Sequence, residues 1–230
     1  MEHTSSASAS VNGPVEDLQY EFLKDGEVDL GTSIMAVAYE GGVVLGADSR
    51  TSTGVYIANR VTNKITPIDD RIYVLRSGSA ADTQAVSDYV KYFLDNHRME
   101  YGNPSKVSTA ANLVQQLCYQ NKNMLSAGMV VAGWDAFKGG QVYSIPIGGA
   151  MLQRPFTIGG SGSTYIYGYC DAYFTEGMNR EQTEDFVRNA LSHAMARDGS
   201  SGGVVRTVTI SEAGVERKML PGNKLPFGPL

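Results

Sequence analysis

Cysteine and histidine are scarce in this chain of 230 residues, which has only Cys118, Cys170 and three histidines. Neither cysteine lies in a CxxC motif, so no zinc-type ligand set is visible and we expect no metal site. Each cysteine sits in an apolar or aromatic stretch. This setting favours two buried thiols in a reducing compartment over a disulfide.

The chain also lacks any long basic run, and its formal net charge is −5. Such a chain is not expected to bind nucleic acid. No apolar stretch reaches the roughly 18 residues of a membrane span. Residues 1–14 show neither the basic nor the apolar region of a signal peptide. We therefore expect a protein of the cytoplasm and nucleus that does not bind membranes.

Apolar residues and glycine are plentiful, at 42% hydrophobic residues and 26 glycines. This composition suits one compact domain with a full core and many turns. Residues 1–15 are rich in Ser and Ala and predict a flexible segment. No internal repeat and no second domain is evident after it.

Strand and helix patterns alternate in blocks along the rest of the chain. Helices are predicted at 80–96, 108–124, 164–173 and 180–197, with Ser79 and Asn179 as N-caps and Gln182 completing a capping box. Strands are predicted at 33–40, 43–48, 72–77, 129–134, 141–145, 150–153, 156–159, 204–211 and 215–219. Segregated blocks of this kind favour an α+β architecture with helices packed outside two sheets.

The pair Gly31-Thr32, at the start of the first strand, has the character of a self-cleavage site. Cleavage after Gly31 would leave Thr32 with a hydroxyl nucleophile and a free α-amine on one residue. An α-amine has a pKa of about 8 and is a usable base at neutral pH. Threonine is also common in strands, so the hypothesis depends on residues further along.

Three charged residues could support such a nucleophile. Lys64 lies in a polar segment where a lysine is usually solvated, but if buried beside Thr32 it would assist proton movement. Asp48 ends an apolar strand and either forms a turn or orients a lysine by ion pairing. Asp198, with Ser201, follows the last helix in a glycine-rich stretch. That stretch either caps the helix or orients an amine.

Two loops between a strand and a helix carry further candidates. Gly160 and Gly162 partly match a dinucleotide fingerprint, but Tyr165 stands at the third glycine position and the order is not βαβ. Ser161 in this turn could instead offer a hydroxyl to the site. In the other loop the Gly78 amide lies at a helix N-terminus, a favourable place to stabilise an oxyanion.

Arg76 precedes Gly78 in that second loop. It is either a surface arginine or a pocket residue that binds a carboxylate.

Together these segments strongly resemble the catalytic beta subunits of the eukaryotic 20S proteasome, and among them the caspase-like type, which cleaves after acidic residues. The resemblance extends from about Gly31 to Glu216. It is carried by Lys64 and by the motifs Gly31-Thr32-Ser33-Ile34-Met35-Ala36-Val37, Gly46-Ala47-Asp48-Ser49-Arg50, Ser77-Gly78-Ser79-Ala80-Ala81-Asp82, Gly160-Ser161-Gly162-Ser163 and Asp198-Gly199-Ser200-Ser201-Gly202-Gly203.

The resemblance implies an N-terminal-nucleophile hydrolase fold, a four-layer αββα sandwich of two antiparallel sheets. It implies a propeptide at 1–31, removed by self-cleavage, and a single domain at 32–230. Thr32 would be the nucleophile and, through its α-amine, the proton acceptor. Lys64 and Asp48 would tune the nucleophile. Ser161, Asp198 and Ser201 would support its amine and hydroxyl, and the Gly78 amide would donate a hydrogen bond to the oxyanion.

The resemblance also implies a substrate pocket in which Arg76 favours Glu or Asp before the scissile bond. The other pocket positions are Thr51, Thr62, Thr66, Ala80 and Gln84. No cofactor is implied. The implied partners are other alpha and beta subunits in stacked rings, and the substrates are unfolded polypeptides. Ser33, where many relatives have Thr, is a mild departure from the pattern.

Three other interpretations remain open from the sequence. The first is a non-catalytic ring subunit of the same fold, against which the presence of both Thr32 and Lys64 argues. The second is a dinucleotide binder that uses the loop at 159–163. The third is a different N-terminal-nucleophile amidase that acts on small molecules.

Overall fold

The computed structural model describes residues 31–54 and 56–227. The predicted flexible segment at 1–15 lies outside the described residues. The strands are β1 Ile34–Tyr39, β2 Gly42–Ala47, β3 Thr51–Thr53, β4 Tyr56–Asn59, β5 Ile65–Asp69, β6 Ile72–Gly78, β7 Ala127–Asp135, β8 Gly139–Ile145, β9 Leu152–Gln153, β10 Phe156–Gly159, β11 Val205–Ser211 and β12 Gly214–Leu220. The α-helices are α1 Ala80–Tyr101, α2 Val107–Gln120, α3 Tyr167–Tyr173 and α4 Arg180–Arg197.

The strands form two five-stranded sheets and one hairpin. One sheet has the order β10-β1-β2-β11-β12, the other β5-β6-β7-β8-β9, and β3 pairs with β4. Neighbouring strands are antiparallel throughout these sheets. Most strands are joined by short connections, which suits antiparallel pairing.

The two sheets pack face to face, and helices cover both outer faces. A cluster that includes Ile34, Leu45 and Val130 fills the space between the sheets. A second cluster joins α1 and α2 to the β5–β9 sheet, and a third joins α3 and α4 to the β1 sheet. Both faces of each sheet are therefore buried, which explains the apolar character of the central strands. The predicted αββα sandwich of two antiparallel sheets is confirmed.

The predicted caps are also confirmed. The Asp82 amide donates to Ser79 Oγ at 3.3 Å, and Asn179 forms the capping box with Gln182. Cys118 and Cys170 are free and buried, as expected for two core thiols. None of the helices at 31–54 and 56–227 combines the length and apolar character that crossing a bilayer requires.

Several boundaries differ from the prediction. Strands β3, β4 and β5 were not predicted, because their sequences are polar and partly exposed and show no clear alternation. Helix α1 continues beyond residue 96 on exposed turns until Gly102, whose φ is +69°. The helix predicted at 164–173 is split into a 3-10 turn at Ser161–Tyr165 and α3.

Candidate active site

Thr32 lies two residues before β1, and the strands that pair with β1 bring two loops beside it. In the antiparallel register, Ile34 pairs with Ala47 of β2 and with Gly159 of β10. The residues that follow those strands therefore meet the beginning of β1. This pairing places Asp48 on one side of Thr32 and Ser161 on the other. Thr32 itself is only 5% exposed.

Lys64 reaches Thr32 from the segment just before β5, in the opposite sheet. Its Nζ donates to Asp48 Oδ1 at 2.6 Å, to the Gly31 carbonyl at 3.0 Å and to Thr32 Oγ1 at 3.2 Å. Thr32 Oγ1 in turn donates to the Gly31 carbonyl at 2.7 Å. An ammonium group has three N–H donors, and here all three have an acceptor.

Asp48 is fully buried and is held by the backbone as well as by Lys64. Its Oδ1 accepts from the Ser33 amide at 2.9 Å. Its Oδ2 accepts from the amides of Arg50, at 3.1 Å, and Gly202, at 3.0 Å. A carboxylate with this many donors stays in one orientation, so it presents a fixed negative charge to the lysine.

Burial lowers the pKa of Lys64 from its ordinary value of 10.5, although the attraction of Asp48 works in the opposite direction. The ammonium is taken out of water, which disfavours the charged form. The neutral amine of Lys64 is therefore more accessible than that of a solvated lysine. Among residues 31–54 and 56–227, Lys64 is the titratable side chain within hydrogen-bond distance of Thr32 Oγ1.

A second group of side chains contacts the other side of Thr32. The Thr32 amide donates to Ser161 Oγ at 3.1 Å, and Ser161 Oγ donates to Asp198 Oδ2 at 2.8 Å. Ser201 approaches through Ser33, whose hydroxyl donates to Ser201 Oγ at 2.8 Å. Asp198 and Ser201 are thus brought to the site, where they contact Thr32 through Ser161 and Ser33 rather than directly.

The glycines at 160 and 162 have a structural explanation. A Cβ on Gly160 would lie 2.1 Å from the Thr32 carbonyl oxygen, and one on Gly162 would lie 1.9 Å from Ser33 Oγ. The Gly162 amide donates to the Thr32 carbonyl at 3.1 Å. These glycines allow the loop to approach the backbone of Thr32 closely, a reason for their presence that involves no phosphate group.

A pocket of about 40 Å³ opens beside Thr32. Of the predicted pocket positions, Thr66 and Gln84 are not among its lining residues. Thr83 lines the pocket, although the sequence analysis did not identify it. Its position one helical turn after Ala80 was the signal that could have indicated this. The full lining is Gly31, Thr32, Thr51, Thr62, Lys64, Arg76, Gly78, Ala80 and Thr83.

Gly78 lies at the end of β6 and has a φ of +95°, a value that L side chains rarely adopt. A Cβ there would lie 2.4 Å from the carbonyl oxygen of Ser126. Only glycine therefore fits at this turn on the pocket wall.

Arg76 is a cation on the pocket wall that has no carboxylate close to it among the described residues. Its Nη2 donates to the Asn63 carbonyl at 3.2 Å, while its Nε is buried without a hydrogen-bond partner. Within residues 31–54 and 56–227 no carboxylate lies within 4.0 Å of its guanidinium. Burial lowers the pKa of Arg76 from its ordinary value, although the charge of Asp88 acts in the other direction. The guanidinium is thus partly desolvated and available to an anionic group.

The described residues contain no cluster of three or more His, Cys, Asp or Glu side chains able to hold a metal ion. The chemistry available here is that of a buried hydroxyl, a lysine of lowered pKa and a fixed carboxylate. Such a set is suited to nucleophilic attack on a carbonyl carbon.

The sequence model of the family described as "Proteasome subunit" matches residues 28–210. The chain belongs to the proteasome subunit family. It is 64% identical over 202 residues to proteasome subunit beta type-6 of Dictyostelium discoideum. The aligned region makes up 88% of this chain and 94% of that protein.

Other proteasome beta subunits are also similar. Proteasome subunit beta type-1 of Saccharomyces cerevisiae is 57% identical over 195 residues, 85% of this chain and 90% of that protein. Human proteasome subunit beta type-9 is 51% identical over 201 residues, 87% of this chain and 91% of that protein. Proteasome beta subunits of this kind are threonine-type proteases of the N-terminal-nucleophile class. They assemble with other alpha and beta subunits into the stacked-ring 20S core that degrades polypeptides.

Proposed function

We propose that this proteasome subunit cleaves peptide bonds after acidic residues, with Thr32 as its nucleophile after removal of residues 1–31. The observation that carries the proposal is the contact of Lys64 Nζ with Thr32 Oγ1, the Gly31 carbonyl and Asp48. A non-catalytic subunit would have no need of a buried lysine at a threonine hydroxyl. Residues 32–230 would then form the mature domain, acting in the cytoplasm and nucleus.

Self-cleavage would begin with attack by Thr32 Oγ on the Gly31 carbonyl carbon. The α-amine does not yet exist as a base, because it is part of the peptide bond, and the neutral amine of Lys64 takes the hydroxyl proton. The C–N bond breaks, the nitrogen of Thr32 receives a proton, and an ester joins Gly31 to Thr32 Oγ. Water then hydrolyses the ester, which yields the Gly31 carboxylate and a free Thr32 amine and hydroxyl.

In the mature subunit the same hydroxyl attacks a substrate carbonyl. The Thr32 α-amine accepts the proton and passes it to the leaving amine, and water activated by the α-amine hydrolyses the acyl ester. Ser161 and Asp198 orient the amine, since the Thr32 nitrogen already donates to Ser161 Oγ. The amide of Gly78 stabilises the oxyanion, and Lys64, held by Asp48, donates a hydrogen bond to Thr32 Oγ1.

Preference for an acidic residue follows from Arg76. Its guanidinium lines the pocket beside Thr32, is partly desolvated and lacks a carboxylate partner within the described residues. A glutamate or aspartate side chain of the substrate would supply that partner, and the polar Thr51, Thr62 and Thr83 would surround it. A pocket that leaves a partly desolvated cation unpaired discriminates against apolar side chains.

The experiment is a mass-spectrometric measurement of the N-terminus of this chain in assembled particles, together with hydrolysis of peptides that carry Glu or Leu before the scissile bond. The chain is expected to begin at Thr32 and to prefer the Glu peptide. Thr32→Ala is expected to keep residues 1–31 and to lose Glu-peptide hydrolysis. Thr32→Ser, which retains a hydroxyl, is the matched control. Processing of the Thr32→Ala variant at the normal rate would contradict self-cleavage.

A further inference from the structure

Ser52 makes a contact that the proposed hydrolysis of peptides does not use. The Gly31 amide, on the propeptide side of the scissile bond, donates to Ser52 Oγ at 3.2 Å. The same Oγ donates to the Ser200 carbonyl at 3.4 Å. Ser52 lies in the middle of β3 and is 3% exposed. Its hydroxyl therefore bridges the residue to be cleaved and the loop that follows Asp198.

Gly31 needs external support because it has no side chain of its own to hold it. A Cβ at this position would lie 1.9 Å from the Ser200 carbonyl oxygen, so a larger residue does not fit. Glycine is also the residue with the greatest backbone freedom. Hydrogen bonds therefore hold Gly31 at both ends: its amide donates to Ser52 Oγ, and its carbonyl accepts from Lys64 Nζ.

We propose that Ser52 is a positioning residue for self-cleavage, which holds the Gly31 amide so that the Gly31 carbonyl carbon faces Thr32 Oγ. The inference rests on the proposed self-cleavage at Gly31-Thr32. Ser52 takes no part in breaking or forming bonds. It restricts the rotation of the glycine, and such restriction raises the fraction of molecules in a reactive geometry.

The role of Ser52 is confined to the precursor. Gly31 departs with the propeptide, so its contact with Ser52 exists only before cleavage. Ser52 is also absent from the residues that line the pocket beside Thr32. Its neighbour Thr51 does line this pocket, whereas the side chain of Ser52 is buried away from it. Loss of the Ser52 hydroxyl should therefore slow processing and spare the hydrolysis of peptides.

The test compares Ser52→Ala with wild type in assembled particles that contain the full-length chain. The appearance of the Thr32 N-terminus is followed over time. Peptide hydrolysis is then measured per mole of mature Thr32 N-terminus, after processing is complete. Thr53→Ala is the matched control, because Thr53 is the next residue of β3 and its side chain is exposed. Ser52→Cys, which is similar in size and a weaker acceptor, serves if the alanine variant does not enter particles.

Ser52→Ala is expected to process about five- to tenfold more slowly than wild type, the effect of one lost neutral hydrogen bond. Its normalised peptide hydrolysis should stay within twofold, and Thr53→Ala should match wild type in both assays. Ser52→Cys should process several-fold more slowly. Processing of the Ser52 variants at the wild-type rate would overturn the inference, as would a parallel fall in processing and hydrolysis. If Thr32→Ala is also processed, the proposed self-cleavage itself fails, which is a separate result.

Discussion

Replacing Arg76 by leucine tests the origin of the proposed acidic preference. The guanidinium lines the pocket beside Thr32, donates to the Asn63 carbonyl and leaves its buried Nε without a partner. A substrate carboxylate would form charge-assisted hydrogen bonds with it. Leucine is similar in apolar bulk to the stem of arginine, so it keeps much of the pocket wall and removes the charge.

The size of the effect follows from the geometry. A hydrogen bond to a charged group contributes roughly 1.5–3 kcal/mol, and a guanidinium can form two with one carboxylate. Because Arg76 is only partly buried, we take about 3 kcal/mol for the pair, after allowing for solvent screening. Each 1.36 kcal/mol is tenfold in rate, so kcat/KM for a Glu peptide should fall about 150-fold. The Leu peptide should be cleaved as well as before or better.

The assay measures kcat/KM for Glu and Leu peptides on assembled particles. Arg76→Lys should give an intermediate preference, because the ammonium retains the charge without the planar fork. Arg206→Leu is the matched control, since Arg206 also has a buried Nε without a partner but does not line the pocket. A Glu-to-Leu preference within threefold of wild type in Arg76→Leu would refute the reasoning.

Three further predictions concern other parts of the chain. Lys64→Met should slow both the appearance of the Thr32 N-terminus and peptide hydrolysis, by about 10²–10⁴-fold; normal rates for either would remove Lys64 from the mechanism. Gly78→Ala should cost about 1–3 kcal/mol in the free energy of unfolding and lower kcat, because the residue needs a φ of +95° and a Cβ would lie 2.4 Å from the Ser126 carbonyl oxygen. An unchanged melting temperature would contradict this. Burial alone would raise the pKa of Glu184, but hydrogen bonds led by that from Lys218 lower it from 4.5 to about 2. A lowered carboxyl pKa stabilises the fold above pH 4.5, and this stability is lost as the pH falls towards 2. Glu184→Gln should therefore lower stability by about 1–2 kcal/mol at pH 7 and by less below pH 4 in thermal unfolding, after allowing for exposure.

Much of the fold was predictable because its signals are local. Helix α4 was predicted at its observed bounds, since a capping box begins it and an apolar face runs along it. Strands β1, β2 and β10 were predicted from their β-branched and small residues. The strands β3, β4 and β5 were missed although they pair with their neighbours in the chain, because they are short, polar and partly exposed and so have a weak local preference.

The candidate site divides in the same way. Residue type and position beside a strand made Thr32 and Arg76 candidates, and only the resemblance assigned them roles. Lys64 lies just before β5, in the sheet opposite to that of Thr32. Its approach to Thr32 was expected only through the resemblance. Thr83 and Ser52 carried no signal strong enough to separate them from the many other hydroxyl residues of the chain.

The sequence alone determined the order of the longer strands and helices, the helix caps, the buried thiols and the chemical groups available for catalysis. Each of these depends on residues within a few positions of one another. Only the tertiary structure decided which groups meet. It buries Lys64 between Asp48 and Thr32, lowers its pKa by desolvation and leaves Arg76 without a carboxylate within the described residues. Distances and burial between segments far apart in the chain arise from the packing of two sheets, and no local pattern encodes them.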